Sequence, residues 1–359
     1  MNELDMKRLG FTGSFVTEAG LYNGLYAGRV LSQSKGLYRI ACEKGELMAE
    51  VSGRLRFEVQ TLSDFPAVGD FVMVDRNHDT GGNAIIHHVL KRKSAFIRKA
   101  AGTSNEEQVV AANIDTVFIC MSLNNDFNLR RLERYLSIGW GSGATPVVVF
   151  TKADLCSDIQ SRLREVEEVC IGADILITSS MQEDGYTQVL PYIKEGSTVA
   201  FMGSSGVGKS TLINRLMREE RLATNGLRND DKGRHTTTRR ELILLDSGGM
   251  VIDTPGMREL GIESADLSKS FADIDELSSQ CRFRDCTHTS EPGCEVLKAV
   301  SDGILSEERL LSYKKLKVEA GYEGLDSRQI EAVKVSRMFA GVGGAKNARR
   351  LAKEKNKRR

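Results

Sequence analysis

The stretch Val199-Ala200-Phe201-Met202-Gly203-Ser204-Ser205-Gly206-Val207-Gly208-Lys209-Ser210-Thr211 decides the fold. A short apolar strand runs into G-x-x-x-x-G-K-[ST], and the helix-like Thr211-Leu212-Ile213-Asn214-Arg215-Leu216-Met217 comes directly after it. The chemistry needs these residue types. Glycines let backbone N–H groups turn inward around phosphates, Lys209 brings a cation to the outer phosphates, and Ser210 offers a hydroxyl to Mg²⁺. The N-terminus of the helix beyond the loop adds partial positive charge. Gly203, Ser204, Ser205, Gly206, Val207, Gly208, Lys209, Ser210 and Thr211 are therefore the expected phosphate-binding set, and the domain that carries them is expected to be α/β.

Downstream lies Val251-Ile252-Asp253-Thr254-Pro255-Gly256. An acid at the end of a buried strand can hold the Mg²⁺ shell, and the N–H of Gly256 can meet a terminal phosphate. Between the two motifs, Gly233-Arg234-His235-Thr236-Thr237-Thr238 offers a threonine, with Thr237 favoured, to complete that shell when a terminal phosphate is present. Segments ordered by such a phosphate act as switches. The residue after the D-T-P-G run is Met257, where many GTPases place a glutamine that orients the attacking water. Methionine cannot do this, so intrinsic turnover is expected near the slow range of about 10⁻⁴ to 10⁻² s⁻¹. His235 is the residue expected to position water once a partner orders its loop.

Upstream, Thr151-Lys152-Ala153-Asp154 comes after the buried strand Pro146–Phe150. In the pattern N-K-x-D the aspartate accepts two hydrogen bonds from the ring N–H and amino group of guanine, a pair that adenine cannot offer, and the lysine stem lies along the base. Thr151 departs from the pattern at its first position and leaves the discriminating Asp154 intact. Thr178-Ser179-Ser180, after another short strand, stands where the last base-binding loop belongs, with Ser179 its expected contact. These two motifs ordinarily come after the phosphate loop. Here they precede it, and nothing after Gly256 offers a second strand ending in K-x-D. The nucleotide domain is therefore read as circularly permuted, which brings both switch segments to its C-terminal end, next to the last unit of the chain.

That last unit contains Cys281-x₄-Cys286-x-His288-x₅-Cys294, three thiolates and one imidazole at the spacing of a closed tetrahedral zinc site. Such ligands are expected to stand in for a hydrophobic core that a small unit lacks. Arg282 and Arg284 lie between them, and a basic knuckle suits RNA phosphates. Ahead of the nucleotide domain, Leu25–Leu31, Leu37–Cys42, Phe71–Asp75 and Ala84–Leu90 are β-prone runs separated by turn residues. They suggest a small closed barrel, of OB or SH3-like type. His78, His87 and His88 read as ordinary residues of that barrel. Residues 1–23 show little pattern and read as an N-terminal tail, 24–98 as the barrel, 99–263 as the permuted domain, 264–335 as the zinc unit and 336–359 as a basic tail.

Lys and Arg total 50 against 49 Asp and Glu, so net charge singles out no partner. The exception is Lys346–Arg359, with eight basic residues and one acid, either a solvated terminus or an arm for RNA phosphates. The seven cysteines do not read as a disulfide framework, and no apolar run reaches the length of a membrane span. A cytoplasmic protein is expected, with neither membrane nor DNA as partner.

The barrel, the permuted T-K-x-D before G-x-x-x-x-G-K-S, and the C-x₄-C-x-H-x₅-C together resemble the RsgA (YjeQ/YloQ) family of small ribosomal subunit biogenesis GTPases. The H-T-T-T at His235–Thr238 and the D-T-P-G-hydrophobic run match that family too, and the likeness extends from about Gly24 to the helix after Ser306. The resemblance implies an OB-fold barrel, GTP hydrolysis to GDP stimulated by the small ribosomal subunit, a part in late maturation of that subunit, and one structural Zn²⁺ per chain. It also implies that barrel and zinc unit dock on rRNA, and a monomer is expected. The residues alone leave three other readings: an ATP-using P-loop enzyme, a GTPase that delivers zinc to a client, and a GTP-switched binding module with no ribosomal role.

Overall fold

The structure, a computed structural model, describes residues 5–79, 81–99, 106–124, 127–179, 181–182, 184–217, 240–253 and 266–321, together with Gln329, Ala332, Val333 and Ser336. Its N-terminal part begins with a short helix, α1 (Ser14–Ala19), and continues through β1 (Tyr26–Ser34), β2 (Leu37–Cys42), β3 (Gly45–Val51), a helical turn α2 (Gly53–Glu58), β4 (Phe71–Val74) and β5 (Ala84–Val89). These strands close in the order β1-β2-β3-β5-β4-β1, with β3 and β5 parallel and the other pairs antiparallel. That closed five-stranded barrel is the OB arrangement. Its interior is filled by alternate residues of the strands, among them Val30, Tyr38, Ile40, Leu47, Ala49, Val72 and Ile86. The segment read from sequence as a patternless tail is instead packed. Leu9 is buried in the core between barrel and nucleotide domain, and Phe15 lies 4.5 Å from Phe71, ring to ring.

A hairpin of β6 (Ala95–Lys99) and β7 (Glu107–Ala112) leads into the nucleotide domain. There β8 (Thr116–Ser122), α3 (Leu129–Gly141), β9 (Thr145–Thr151), α4 (Ile159–Glu167) and β10 (Asp174–Ile177) run outward in one direction. The chain then returns to the other side of β8 with β11 (Thr198–Met202), α5 (Lys209–Met217), β12 (Glu241–Leu244) and β13 (Met250–Asp253). The order β10-β9-β8-β11-β13-β12 is parallel except for β12. The central strands are buried at almost every position because helices cover both faces, and their apolar runs are what such burial demands. Strand order reverses between β8 and β11, and ligands of open α/β sheets bind outside the carboxyl ends of strands at such a point.

The barrel and the nucleotide domain form one continuous sheet, because β12 pairs antiparallel with β1 at Ser32 and Glu241, and Arg39 makes an ion pair with Glu241. Behind this junction sits Arg29, 1 % exposed. Its guanidinium donates to Leu9 O, to Gly69 O at 3.3 Å, to Asn113 O at 3.3 Å and to Thr198 Oγ1 at 2.7 Å, and it lies over the Phe71 ring at 4.8 Å. Burial pushes its pKa down to about 10, with Asp115 and Asp70 opposing that shift. The side chain remains a cation at neutral pH, satisfied by three carbonyls, the Thr198 hydroxyl and the Met250 sulfur.

The C-terminal unit consists of α6 (Leu267–Ser270), α7 (Ala272–Ser279), α8 (Glu295–Ser301) and α9 (Glu307–Ala320). Ser306 caps α9 by accepting from Arg309 N, and Glu307 and Glu308 occupy its first turn, as the sequence pattern requires. The expectation that metal ligands replace a missing core needs correction. Phe271, Ile274, Val296, Ala299, Leu305, Leu310, Tyr313 and Leu316 form a buried apolar core with Cys294 inside it. The unit docks on α3 through charge. Glu133 of α3, 0 % exposed, accepts from Arg309 Nη1 at 2.9 Å, Ser312 Oγ at 2.6 Å and Arg130 Nη1 at 2.6 Å. Arg309 also grips Asp273 with two bonds of 2.7 Å. Removing one member of a buried pair strands the other charge. Arg309→Ala is accordingly expected to destabilise the docked C-terminal unit by about 3–5 kcal/mol, read as an earlier urea transition and faster hydrogen exchange in α9. An unchanged transition would mean that the apolar core alone holds the unit in place.

Candidate nucleotide site and metal centre

The site forms where β8, β9, β10, β11 and β13 end. Strand β11 hands over to the phosphate loop at Gly203, whose φ is 144° and whose missing Cβ leaves room for the Cys120 carbonyl of β8, only 2.3 Å from where a Cβ would stand. A side chain there would push the loop off the neighbouring strand. Beyond the loop, α5 begins at Lys209, so the loop N–H groups and the helix N-terminus face the same space. The Lys209 ammonium donates to Gly203 O at 2.6 Å and to Ser204 O at 2.5 Å, curled within its own loop and positioned to reach an anion there. Ser210 and Thr211 lie in the first turn of α5, and Asp253 ends β13 two strand positions from β8.

The T-K-x-D segment reaches this loop from β9. Thr151, 3 % exposed, donates its hydroxyl to Val207 O and sits 3.5 Å from Met121 O. The departure from asparagine therefore leaves intact a strap between the base-binding segment and the phosphate loop. Lys152, in the left-handed region at φ 57°, donates from Nζ to Gly206 O at 2.8 Å. Asp154 is exposed and accepts from Ser179 Oγ at 2.5 Å, while Ala153 N donates to Thr178 O at 3.2 Å. The Ser179 loop closes through Gly185, where a Cβ would stand 2.0 Å from Ser179 O. A cleft of about 620 Å³ opens beside Asp154, lined by Ala153, Ser179, Gln182, Asp184 and Gln188 among others. Thr151, Lys152, Ala153, Asp154 and Ser179 are thus brought together with Gly203–Thr211 although Phe150 and Gly203 are far apart in sequence. His235, Thr237 and Gly256, with Thr254, Met257 and Ser180, lie outside the described residues.

One contact of the loop carried no sequence signal. Arg131, in the first turn of α3, donates from Nη1 to Ser204 Oγ at 2.6 Å. Its backbone N–H is held by the capping Asn128 side chain at 3.0 Å.

The ligand atoms of Cys281, Cys286, His288 and Cys294 all lie within 4.8 Å of one another. Cys281 Sγ and Cys294 Sγ are 3.9 Å apart, and His288 Nδ1 is 3.4 Å from Cys294 Sγ and 3.7 Å from Cys281 Sγ. A tetrahedron with Zn–S bonds of about 2.3 Å sets sulfurs about 3.8 Å apart, so the donor set fits zinc. His288 presents Nδ1 to the sulfurs while Nε2 lies 3.0 Å from Ser278 Oγ, the outer contact that fixes a ligating imidazole. Burial, with Lys317 and Lys314 nearby, holds its pKa below the usual imidazole value. Glu291 braces the ligand loop, accepting from the N–H groups of Thr287 at 2.8 Å and Thr289 at 2.8 Å. No helix among the described residues is long and apolar enough to cross a membrane.

A P-loop at the strand-order reversal, bridged to a K-x-D segment that precedes it in sequence, defines a circularly permuted GTPase. The sequence model of the RsgA GTPase family matches residues 89–263. The small ribosomal subunit biogenesis GTPase RsgA 2 of Lactiplantibacillus plantarum is 48% identical over 96% of this chain and 98% of its own length. RsgA 1 of Listeria innocua is 43% identical over 88% of this chain and 90% of its own. Among solved structures, YjeQ from Thermotoga maritima superposes with a TM-score of 0.62 at 28% identity, covering 82% of this chain and 98% of that one. YloQ, described as a circularly permuted GTPase, gives 0.58 at 26% identity, covering 83% and 96%. The chain belongs to the RsgA family of GTPases.

The geometry carries two expected outcomes. Thr151→Ala removes the strap and leaves the buried Val207 carbonyl unpaired, so dissociation of a fluorescent GDP analogue is expected to accelerate about tenfold. An unchanged off-rate would mean that Lys152 alone joins the two segments. Chelation, or Cys294→Ser, is expected to release about one zinc per chain and lower the unfolding temperature of the C-terminal unit. Zinc content near zero in the purified protein, with the unit fully folded, would argue for a purely apolar fold there.

Proposed function

We propose that this chain hydrolyses GTP to GDP and phosphate, that it serves late maturation of the small ribosomal subunit, and that the subunit stimulates its turnover. The observation that carries the reading is the bridge from Thr151 and Lys152 to Val207 and Gly206, which sets Asp154 beside the phosphate loop. In this reading Asp154 accepts from the guanine edge, the Lys152 stem covers the base, and Ser179 orients the Asp154 carboxylate. The N–H groups of Gly203–Gly208, with Lys209, hold the outer phosphates. Ser210 and Asp253 would hold Mg²⁺, with Thr237 added when the terminal phosphate is present; the ion, when bound, neutralises charge growing on the phosphate oxygens. His235 positions the attacking water in place of the glutamine that Met257 replaces, and a partner must first bring it in. One Zn²⁺ per chain is structural. Barrel and zinc unit, with Arg282 and Arg284, contact rRNA, and the basic tail adds a further contact. The chain works as a monomer in the cytoplasm.

Support for the ribosomal part is membership in a family whose named members are small ribosomal subunit biogenesis GTPases, at identities of 40–48%. The test is GTP turnover by the purified protein alone, with small subunits, with large subunits, and with ATP in place of GTP. Slow turnover alone, about 10⁻⁴ to 10⁻² s⁻¹, and a large rise specific to GTP and the small subunit are expected. Indifference to the subunit would leave a GTP-switched module or a zinc-delivery GTPase. In the same assay, full stimulation of His235→Ala would remove that histidine from the mechanism.

A further inference from the structure

Two cations meet at one residue of the phosphate loop. Lys209 Nζ lies 2.5 Å from the Ser204 carbonyl, and Arg131 Nη1 donates to the Ser204 hydroxyl at 2.6 Å. Lys209 belongs to every loop of this pattern, whereas Arg131 arrives from another element. It stands on a helix that is packed in place. Asn128 fixes its backbone N–H, Leu132 and Leu136 bury the adjoining face of α3 against the sheet, and Gly139 lets α3 approach Pro146 and Val117 closely. Two residues further along the helix, Glu133 takes the buried ion pair from the C-terminal unit, and Arg134 pairs with Glu319 of α9 at 2.6 Å. The arginine that touches the phosphate loop thus stands on the helix to which the zinc unit is bolted.

We propose that Arg131 is a positioning residue for phosphoryl transfer: acting through Ser204, it holds the loop and keeps a second positive charge behind the outer phosphates. The inference rests on the GTPase reading above. Transition-state charge in phosphoryl transfer spreads over the terminal phosphate, and cations already in place stabilise it without reorganisation. The contact lies at the β11 end of the loop, where the Lys209 ammonium reaches back to Gly203 and Ser204. The guanine end is served separately, by Asp154, by Lys152 on Gly206 and by Thr151 on Val207. Loss of Arg131 should therefore weaken the chemical step much more than it weakens binding of GDP.

The experiment is single-turnover GTP hydrolysis, with GDP affinity measured in parallel, for the full chain and for Arg131→Ala, Arg131→Lys, Ser204→Ala and the Arg131→Ala/Ser204→Ala double variant. Arg131→Ala is expected to lower the hydrolysis rate on the order of 10- to 100-fold, with GDP affinity changed by less than about threefold. Arg131→Lys keeps the charge and should recover most of the rate; because it is conservative, it keeps the test valid even if the alanine variant folds poorly. Since Arg131 acts through Ser204, the double variant should be no slower than Arg131→Ala alone. An unchanged rate in Arg131→Ala, a loss mirrored in GDP affinity, or additive losses in the double variant would each overturn the proposal. Absence of GTP turnover in the unaltered chain would instead bring down the GTPase reading, and this inference with it.

Discussion

Everything at the nucleotide site depends on β11 being wedged between two parallel neighbours, β8 and β13. That placement puts the end of β11 at the one gap where strand order reverses, and it presses Gly203 against the Cys120 carbonyl, so the chain must leave the sheet as a tight loop. It also fixes what lies around the loop. Asp253 ends the strand on one side, and on the other side β8 and then β9 bring Thr151 within reach of Val207. None of these relations mentions the order in which the chain visits the strands. A permuted chain can therefore present the same site, because ladder hydrogen bonds and buried faces set strand neighbours, while loops only have to span the distance.

How much of this could be read from the amino acids varies with the range of the interaction. The central strands were legible because burial on both faces demands unbroken apolar runs, as in Thr116–Ser122 and Thr198–Met202. Helix starts are set locally, by the caps Asn128 for α3, Asp158 for α4 and Ser306 for α9, and such signals can be read from a sequence. Strand β3 carries a weaker signal because Gly45–Val51 puts Glu46 and Glu50 among its apolar residues, a half-buried pattern that resembles a charged loop. Strand β12 is short and comes after a long polar stretch. The barrel type was undecidable from strand count alone, and the parallel β3–β5 pair that settles it is a long-range contact.

The site shows the same division. The phosphate loop, T-K-x-D and the Cys/His cluster are each local strings; the first two meet at one site, and the four Cys/His side chains gather at another. Arg29, Arg131, Glu133 and Arg309 form no string. Each is an ordinary charged residue in its own segment, and only the fold brings Arg29 to Thr198, Arg131 to Ser204 and Arg309 to Glu133. Burying such groups is costly unless they are compensated; Arg309 and Glu133 pair with each other, and Arg29 is held by backbone carbonyls and the Thr198 hydroxyl. The joints between the three parts of the molecule are thus charged, although their cores are apolar.

Those joints lie at different distances from the chemistry. Arg29 grips Thr198, the first residue of β11, at the end of the strand away from the phosphate loop. This contact anchors the barrel at the end of β11 remote from the chemistry. The other barrel joint is the pairing of β12 with β1, and β12 begins at Glu241, directly after the segment that carries His235 and Thr237. Any shift of β12 along β13 must either break the Ser32–Glu241 pairing and the Arg39–Glu241 ion pair or carry β1 with it. The C-terminal unit docks on α3, where the single residue Leu132 separates Arg131, which touches the phosphate loop, from Glu133. The barrel and the C-terminal unit therefore have separate mechanical access to the site, one through a strand edge and one through a helix. A partner that held both at once would constrain the phosphate loop from two sides.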